Sequence, residues 1–498
     1  MASERGCNPA PARRALTAAL LIGAALLTAP AADAANIWGR LANPGFEGQR
    51  IKTTFFFAGP ARDGARRYSC RPAAGDQRFQ PIEPDGRFFP RDSNVGTYTL
   101  RPVPADLHLD WSEDHRDTVM TMMAGAGINV ITMSYWGEDF LPCGDGWVSG
   151  AAPMQDSAET QDELFAAAAR KNLLIAPLIE SRASWTMREE FPTWSDGRVS
   201  PGLVSQIVTL VRRYLQDPAR PEWARSWARV YDKSGAPRYA VGLIHAASNN
   251  LDGDEHEAFA AGFDRVAEAV AAATGGVQVG FLIDATPANG NLAQASFKPS
   301  PRWTAPALLN TRSLLGIQCF APEIFVDESG DDDILAWKRG FLRGWISANI
   351  PVLVDVSPGY NGDIVFGGDA HRPYGLSAEW FDGMTAIVND FARGGIIYNS
   401  WNGYTEAMAG TPTIERGTQL YDWLTSLNAH RELFVDRAAS GPESGTAAEP
   451  FKSIVPANDL SSGGDTISIR TGNYPGAITF TNQLTIVARD GPVTIGAR

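Results

Sequence analysis

Eight short apolar runs, most of them followed by a helical pattern, constrain this chain more than anything else in it. They are TTFFFAG (53–59), INVITMSYW (128–136), LLIAPLIES (173–181), YAVGLIHAAS (239–248), VQVGFLID (277–284), LLGIQCFA (314–321), IPVLVDVS (350–357) and GGIIYNSW (394–401). They are nearly all apolar rather than alternating, the pattern of parallel strands covered on both faces. Between them, SAETQDELFAAAARKN opens on Ser157 with Thr160 and Gln161 close behind, a capping-box arrangement. EHEAFAAGFDRVAEAVAAATGG stops at Gly275 and Gly276, and DDDILAWKRGFLRGWISANI carries its acids first and its bases later, as the helix dipole favours. Eight strands alternating with helices predict an α/β fold, a (β/α)8 TIM barrel. An open doubly wound sheet is the alternative. No strand leads into GxGxxG or GxxxxGK[ST], so no nucleotide site and no cofactor is expected.

The two ends of the chain read differently. Arg13 and Arg14, an apolar stretch and Ala32-Asp33-Ala34 predict a signal peptide over residues 1–34. The mature chain is then expected to be secreted, periplasmic or extracellular, with no membrane span. The formal net charge of −13, with dispersed arginines, offers no basic stripe for nucleic acid. Cys70 and Cys143 lie in Gly- and Pro-rich surroundings that suit a pair, whereas Cys319 sits in an apolar run and is expected as a buried thiol. The barrel is expected over 35–437 and a linker over 438–449. Residues 450–498 read as a small all-β C-terminal module, short strands between Gly, Asn and Pro turns without helices. Its PFKSI and GDTISIRTGNY stretches resemble the first coils of a right-handed parallel β-helix of the pectin-lyase type.

In such a barrel the reacting groups project from the C-terminal ends of the strands. Strand 2 ends on Trp136 and Glu138, strand 3 on Glu180 with Trp185 nearby, strand 4 on Asn249, strand 5 on Asp284. Strand 6 adds Glu323, strand 7 Asp355 and Tyr360, and strand 8 Trp401, Asn402, Tyr404 and Glu406. Paired carboxylates serve as acid and base at an acetal carbon, aromatic faces stack on sugar C–H faces, and asparagine both donates to and accepts from hydroxyls. The candidate catalytic residues are Glu406, Asp284 and Glu180. The candidate substrate contacts are Trp136, Glu138, Trp185, Asn249, Asp355, Tyr360, Trp401, Asn402 and Tyr404. Taken singly, most such residues in a large barrel are helix caps, solvated charges or loop packing. Six histidines include no HxH or HExxH pair, so no metal site is expected, and no GxSxG elbow is present.

The stretch SWNGYTEAMAG, preceded by VSPGYN, resembles the glycoside hydrolase family 99 and family 71 group. These are (β/α)8 enzymes acting within α-mannan-type and α-1,3-glucan chains. The match covers about residues 351–428. It implies that Trp401, Asn402, Tyr404 and Glu406 occupy the family motif, with Glu406 as general acid/base. The first acid of the family pair falls on Gly403, and Asn361 stands where the relatives' turn often has an aspartate. Two readings follow. Either Asp284, Glu180 or Asp355, in that order, supplies the second carboxylate of a glycosidase acting on a neutral polysaccharide or glycan. Or the barrel binds carbohydrate without cleaving it. A lyase, suggested only by the β-helix wording, stands third.

Overall fold

The computed structural model describes residues 37–56, 70–72, 79–82, 87–90, 103, 113–135, 147–149, 158–180, 198–244, 255–284, 306–320, 322–325, 330–361, 373–392, 394–403, 407–429, 431–441, 443, 445–461, 465–480 and 484–496. Each of the eight apolar runs overlaps a strand: β1 (Ile51–Phe56), β2 (Val130–Tyr135), β3 (Leu174–Glu180), β4 (Pro237–Ile244), β5 (Val279–Asp284), β6 (Leu314–Gln318), β7 (Leu353–Val356) and β8 (Gly395–Tyr398). The strands β7 and β8 end before their runs do, at Val356 and Tyr398. All neighbours pair in parallel, in the order β6-β5-β4-β3-β2-β1-β8-β7. Ile317 N donates to Pro351 O at 2.8 Å and Ile317 bridges Val352, which joins the two outer strands and closes the barrel. Helices α1 (Glu113–Gly125), α2 (Ala158–Arg170), α3 (Pro201–Tyr214), α4 (Glu255–Ala273), α5 (Asp331–Ser347), α6 (Ala378–Phe391) and α7 (Gln419–Asn428) follow the strands. Among the described residues, the short helical turn Pro306–Leu309 stands between β5 and β6.

Strand alternation divides the side chains between two cores. Val354, Val356, Ile396, Tyr398, Phe281 and Ile283 pack outward in the cluster shared with the helices. Ile51, Val130, Leu174, Leu282, Leu353 and Ile397 fill the barrel interior. Above that layer, the Thr53 and Thr132 hydroxyls meet at 2.7 Å, and Phe55, Leu178 and Phe320 form a second apolar group.

The C-terminal module has its own core of Leu433, Val435, Ile467 and Ile469. Its sheet is parallel: β11 (Glu432–Val435), β12 (Thr466–Tyr474) and β13 (Thr485–Ile495). Two features differ from the composition-based reading. β11 precedes the stretch read as a linker and still pairs with β12, and the region read as free of helix contains α8 (Ile454–Leu460).

Where the module meets the floor of the barrel, two buried cations, Arg40 and Arg50, and two half-buried ones, Lys52 and Arg431, meet the carbonyl ends of three helices. Arg50 donates to Ala392 O at the end of α6 (3.0 Å), Lys52 to Asn428 O at the end of α7 (2.5 Å), and Arg40 and Arg431 to Asp459 O (3.1 Å) and Leu460 O (2.5 Å) at the end of α8. Carbonyls at a helix C-terminus carry about half a negative charge, which favours cations there. Asp465, fully buried at the start of β12, adds a whole one and lies 3.6 Å from the Arg431 guanidinium. Asp465→Ala leaves these cations without that charge and is expected to cost about 3–5 kcal/mol of stability, read by urea unfolding.

Burial, reinforced by the Arg50 charge, brings the Lys52 ammonium down to about 8. Between that pH and the ordinary lysine value, the unfolded chain holds a proton that the folded chain has released. Stability from this group therefore rises with pH across that window. The difference in unfolding free energy between about pH 7.5 and 9.5 is expected to be larger in the native protein than in Lys52→Met.

Candidate active site

Alternation along the strands carries polar residues onto the interior face just above the apolar layers. Asp284 continues the face of Leu282, Asp355 that of Leu353, and Asn399 that of Ile397. Gln318 ends β6 directly beside Asp284, with which it is in register. All four are buried at the C-terminal mouth of the barrel.

Three of the elements around this mouth meet in one network. Lys338, on α5 between β6 and β7, is 1% exposed. Its Nζ donates to Glu323 Oε1, on the short 3-10 turn after β6, and to Asp355 Oδ2 at 2.8 Å. Asp355 Oδ1 accepts from Asn399 Nδ2, which also donates to Cys319 O at 3.2 Å. Burial lowers the Lys338 ammonium below the ordinary lysine range, against the raising effect of Asp355. One cation between two carboxylates makes a compact, mostly self-satisfied group. Among the described residues, Glu323 Oε2, Gln318 Oε1 and Asn399 Oδ1 are buried acceptors with no hydrogen-bond partner.

The turn leaving β8 starts at Asn399, whose peptide bond to Ser400 is cis. Trp401 N donates to Phe55 O at 2.9 Å, and the Tyr398 hydroxyl to Ala409 O at 2.6 Å. Asn402 and Gly403 (β9) then pair antiparallel with Met408 and Ala409 (β10). Asn402 is half-buried and Gly403 buried. A Cβ at Gly403 would collide with the Ser400 hydroxyl and lie 3.2 Å from Met408 Cβ. A side chain at the position that the family resemblance assigns to the first acid would thus have to displace the Ser400 hydroxyl and press on Met408.

The residues expected from the sequence divide accordingly. Asp284, Asp355, Trp401 and Asn402 gather at the mouth, and Glu180 ends β3 at the same level of the barrel. Asp355 is not an open carboxylate, since both of its oxygens are bonded. Trp401 and Tyr360 are not open faces either. Trp401 is 0% exposed and meets Tyr421 edge-on at 6.5 Å, and Tyr360 is 1% exposed and stacks on Tyr374 at 6.0 Å. Burial of aromatic area in the protein's own core outweighed its use as a platform. Trp136, Glu138, Trp185, Asn249, Tyr404, Glu406 and the partner Cys143 lie outside the described residues. Cys319 is buried, as its apolar run predicts. Among the described residues no cluster of histidine, cysteine and carboxylate is placed to hold a metal ion.

Lys338 and Asn399 were not singled out in the sequence. The signal for Lys338 is helical spacing, because it falls on one stripe with Ile334, Leu335, Leu342 and Trp345. A separate cavity of about 530 Å³ lies at the barrel floor, lined by Trp38, Arg40, Lys233 and Asp459 among others. Arg40 there already serves a helix end and the module's acids, so the mouth is the better candidate for chemistry. Gly403→Ala is expected to lose about 1–3 kcal/mol of stability through overpacking, and Ser400→Ala in the same chain to restore much of it, both read by thermal and urea unfolding.

No protein-family model and no curated protein sequence matches the chain. Solved structures similar to it include the GH99 endo-alpha-mannosidase from Bacteroides thetaiotaomicron, at 12% identity over 76% of this chain and 95% of that one, with a TM-score of 0.43. An exo-beta-1,4-mannosidase from an Opitutaceae bacterium is 11% identical over 80% and 79%, with a TM-score of 0.39. A beta-mannanase from Streptomyces thermolilacinus is 13% identical over 70% and 88%, with a TM-score of 0.34.

Proposed function

We propose that the chain is an exported glycoside hydrolase acting on a neutral polysaccharide or glycan, with Glu406 as general acid/base and Asp284 as the second carboxylate. The observation that carries the reading is the turn Ser400–Gly403 at the mouth of a closed (β/α)8 barrel, where the Trp-Asn motif stands at the same end as the interior carboxylates. Asp284 is taken first because it ends the apolar strand β5 directly, buried on the interior face at the mouth. Glu180, two strands from Asp284 in the barrel order, is the reserve candidate. Export rests on the signal-peptide pattern of residues 1–34. The C-terminal sheet is read as a β-helix-like support for the barrel floor.

A second reading, a barrel that binds carbohydrate without cleaving it, is favoured by Gly403, where no acid fits without displacing Ser400 or Met408. Reducing-end release from α-mannans, α-glucans and other neutral polymers separates the two. Glu406→Gln is expected to lower turnover about 10²–10⁴-fold with glycan binding kept. Binding without turnover in the native protein would establish the second reading instead.

A further inference from the structure

A lysine on the apolar stripe of a helix is costly unless acceptors meet its ammonium. Lys338 meets two, and they come from the ends of adjacent barrel strands. Asp355, one of the two, passes the constraint on through its other oxygen to the Asn399 amide. Asn399 is also held by Cys319 O and is the last residue before the turn Ser400–Gly403 that leads to Glu406. Lys338, Asp355 and Asn399 thus form one continuous chain of hydrogen bonds from α5 to the root of that turn.

We propose that Lys338 is a positioning residue that holds the turn leaving β8, through Asp355 and Asn399, in the geometry the candidate active site needs. Its catalytic consequence rests on the glycosidase reading, but its structural consequence does not. Without the ammonium, the Glu323 and Asp355 carboxylates converge with no cation between them. Either one of them takes up a proton or they swing apart, as like charges sharing a site do. In either case Asp355 loses the ammonium that fixes its Oδ2, so its Oδ1 is held less firmly toward the Asn399 amide. The bonds from Trp401 N to Phe55 O and from the Tyr398 hydroxyl to Ala409 O are then left to hold the turn and open more often, while strand pairing keeps the barrel closed.

Hydrogen exchange of the full chain read by mass spectrometry, native against Lys338→Met, tests the structural half. Amides of residues 399–410 are expected to exchange at least about tenfold faster, with the peptides of β11 and β12 at the floor unchanged. The catalytic half is a split in kinetics on the glycan that the native protein cleaves. kcat is expected to fall about 10–100-fold while KM stays within about threefold, since a displaced reacting group costs turnover rather than binding. Faster exchange confined to 399–410 in a protein whose native form cleaves no glycan removes the glycosidase reading and leaves the positioning of the turn standing. Unchanged exchange at 399–410, or equal acceleration throughout the molecule, overturns the inference, and so does a rise in KM with kcat kept. Should Lys338→Met fail to fold, Asn399→Ala decides in its place. The same local acceleration upholds the chain of contacts, and its absence overturns it.

Discussion

A parallel sheet that closes on itself has to fill its own interior from alternate residues of every strand, and this requirement governs the rest of the structure. The lower layers meet it with Ile51, Val130, Leu174, Leu282, Leu353 and Ile397. The same alternation, carried two residues further, delivers Asp284, Asp355 and Asn399 to the mouth. Polar groups at that depth have lost most of their water and need partners from the protein. The lysine supplied by α5 answers that need for Asp355, and for Glu323 on the turn after β6.

The two ends of the barrel handle buried charge in opposite ways. At the floor the excess is cationic and is taken up by the carbonyl ends of α6, α7 and α8 together with Asp465. Diffuse helix-end charge, spread over several carbonyls, suits a static interface. At the mouth the excess is anionic and is concentrated on point charges around one ammonium. Removing one member there changes the protonation or position of the others, because each carboxylate depends on the same cation. A fixed floor and a tightly coupled mouth fit a fold whose chemistry is expected at the C-terminal strand ends.

This division also gives the C-terminal module a physical role. Arg431 and Asp465 belong to the module, while Arg40, Arg50 and Lys52 belong to the barrel, and all of them share one buried electrostatic environment. The module's contribution is to the charge balance beneath β1, an effect that composition alone does not reveal.

Much of the fold was legible in the sequence, because near-continuous apolar runs at helix-sized intervals leave few arrangements other than a parallel sheet covered on both faces. The strand ends told which residues reach the mouth, since side-chain direction follows from alternation alone. They did not tell what each side chain does there. Asp355 reads as an acid at a strand end, and only the approach of Lys338 and Asn399 turns it into a bonded strut. Tyr360 reads as a sugar platform and Trp401 as a substrate contact, and only packing against Tyr374 and Tyr421 makes them core. Gly403 reads as a missing acid, and only the positions of the Ser400 hydroxyl and Met408 show that a side chain there would meet them first. Local sequence thus determined the order, direction and facing of the strands through periodicity, which depends on near neighbours. Tertiary structure decided which charges are paired and which faces are open, because those depend on residues far apart in the chain brought within hydrogen-bond reach.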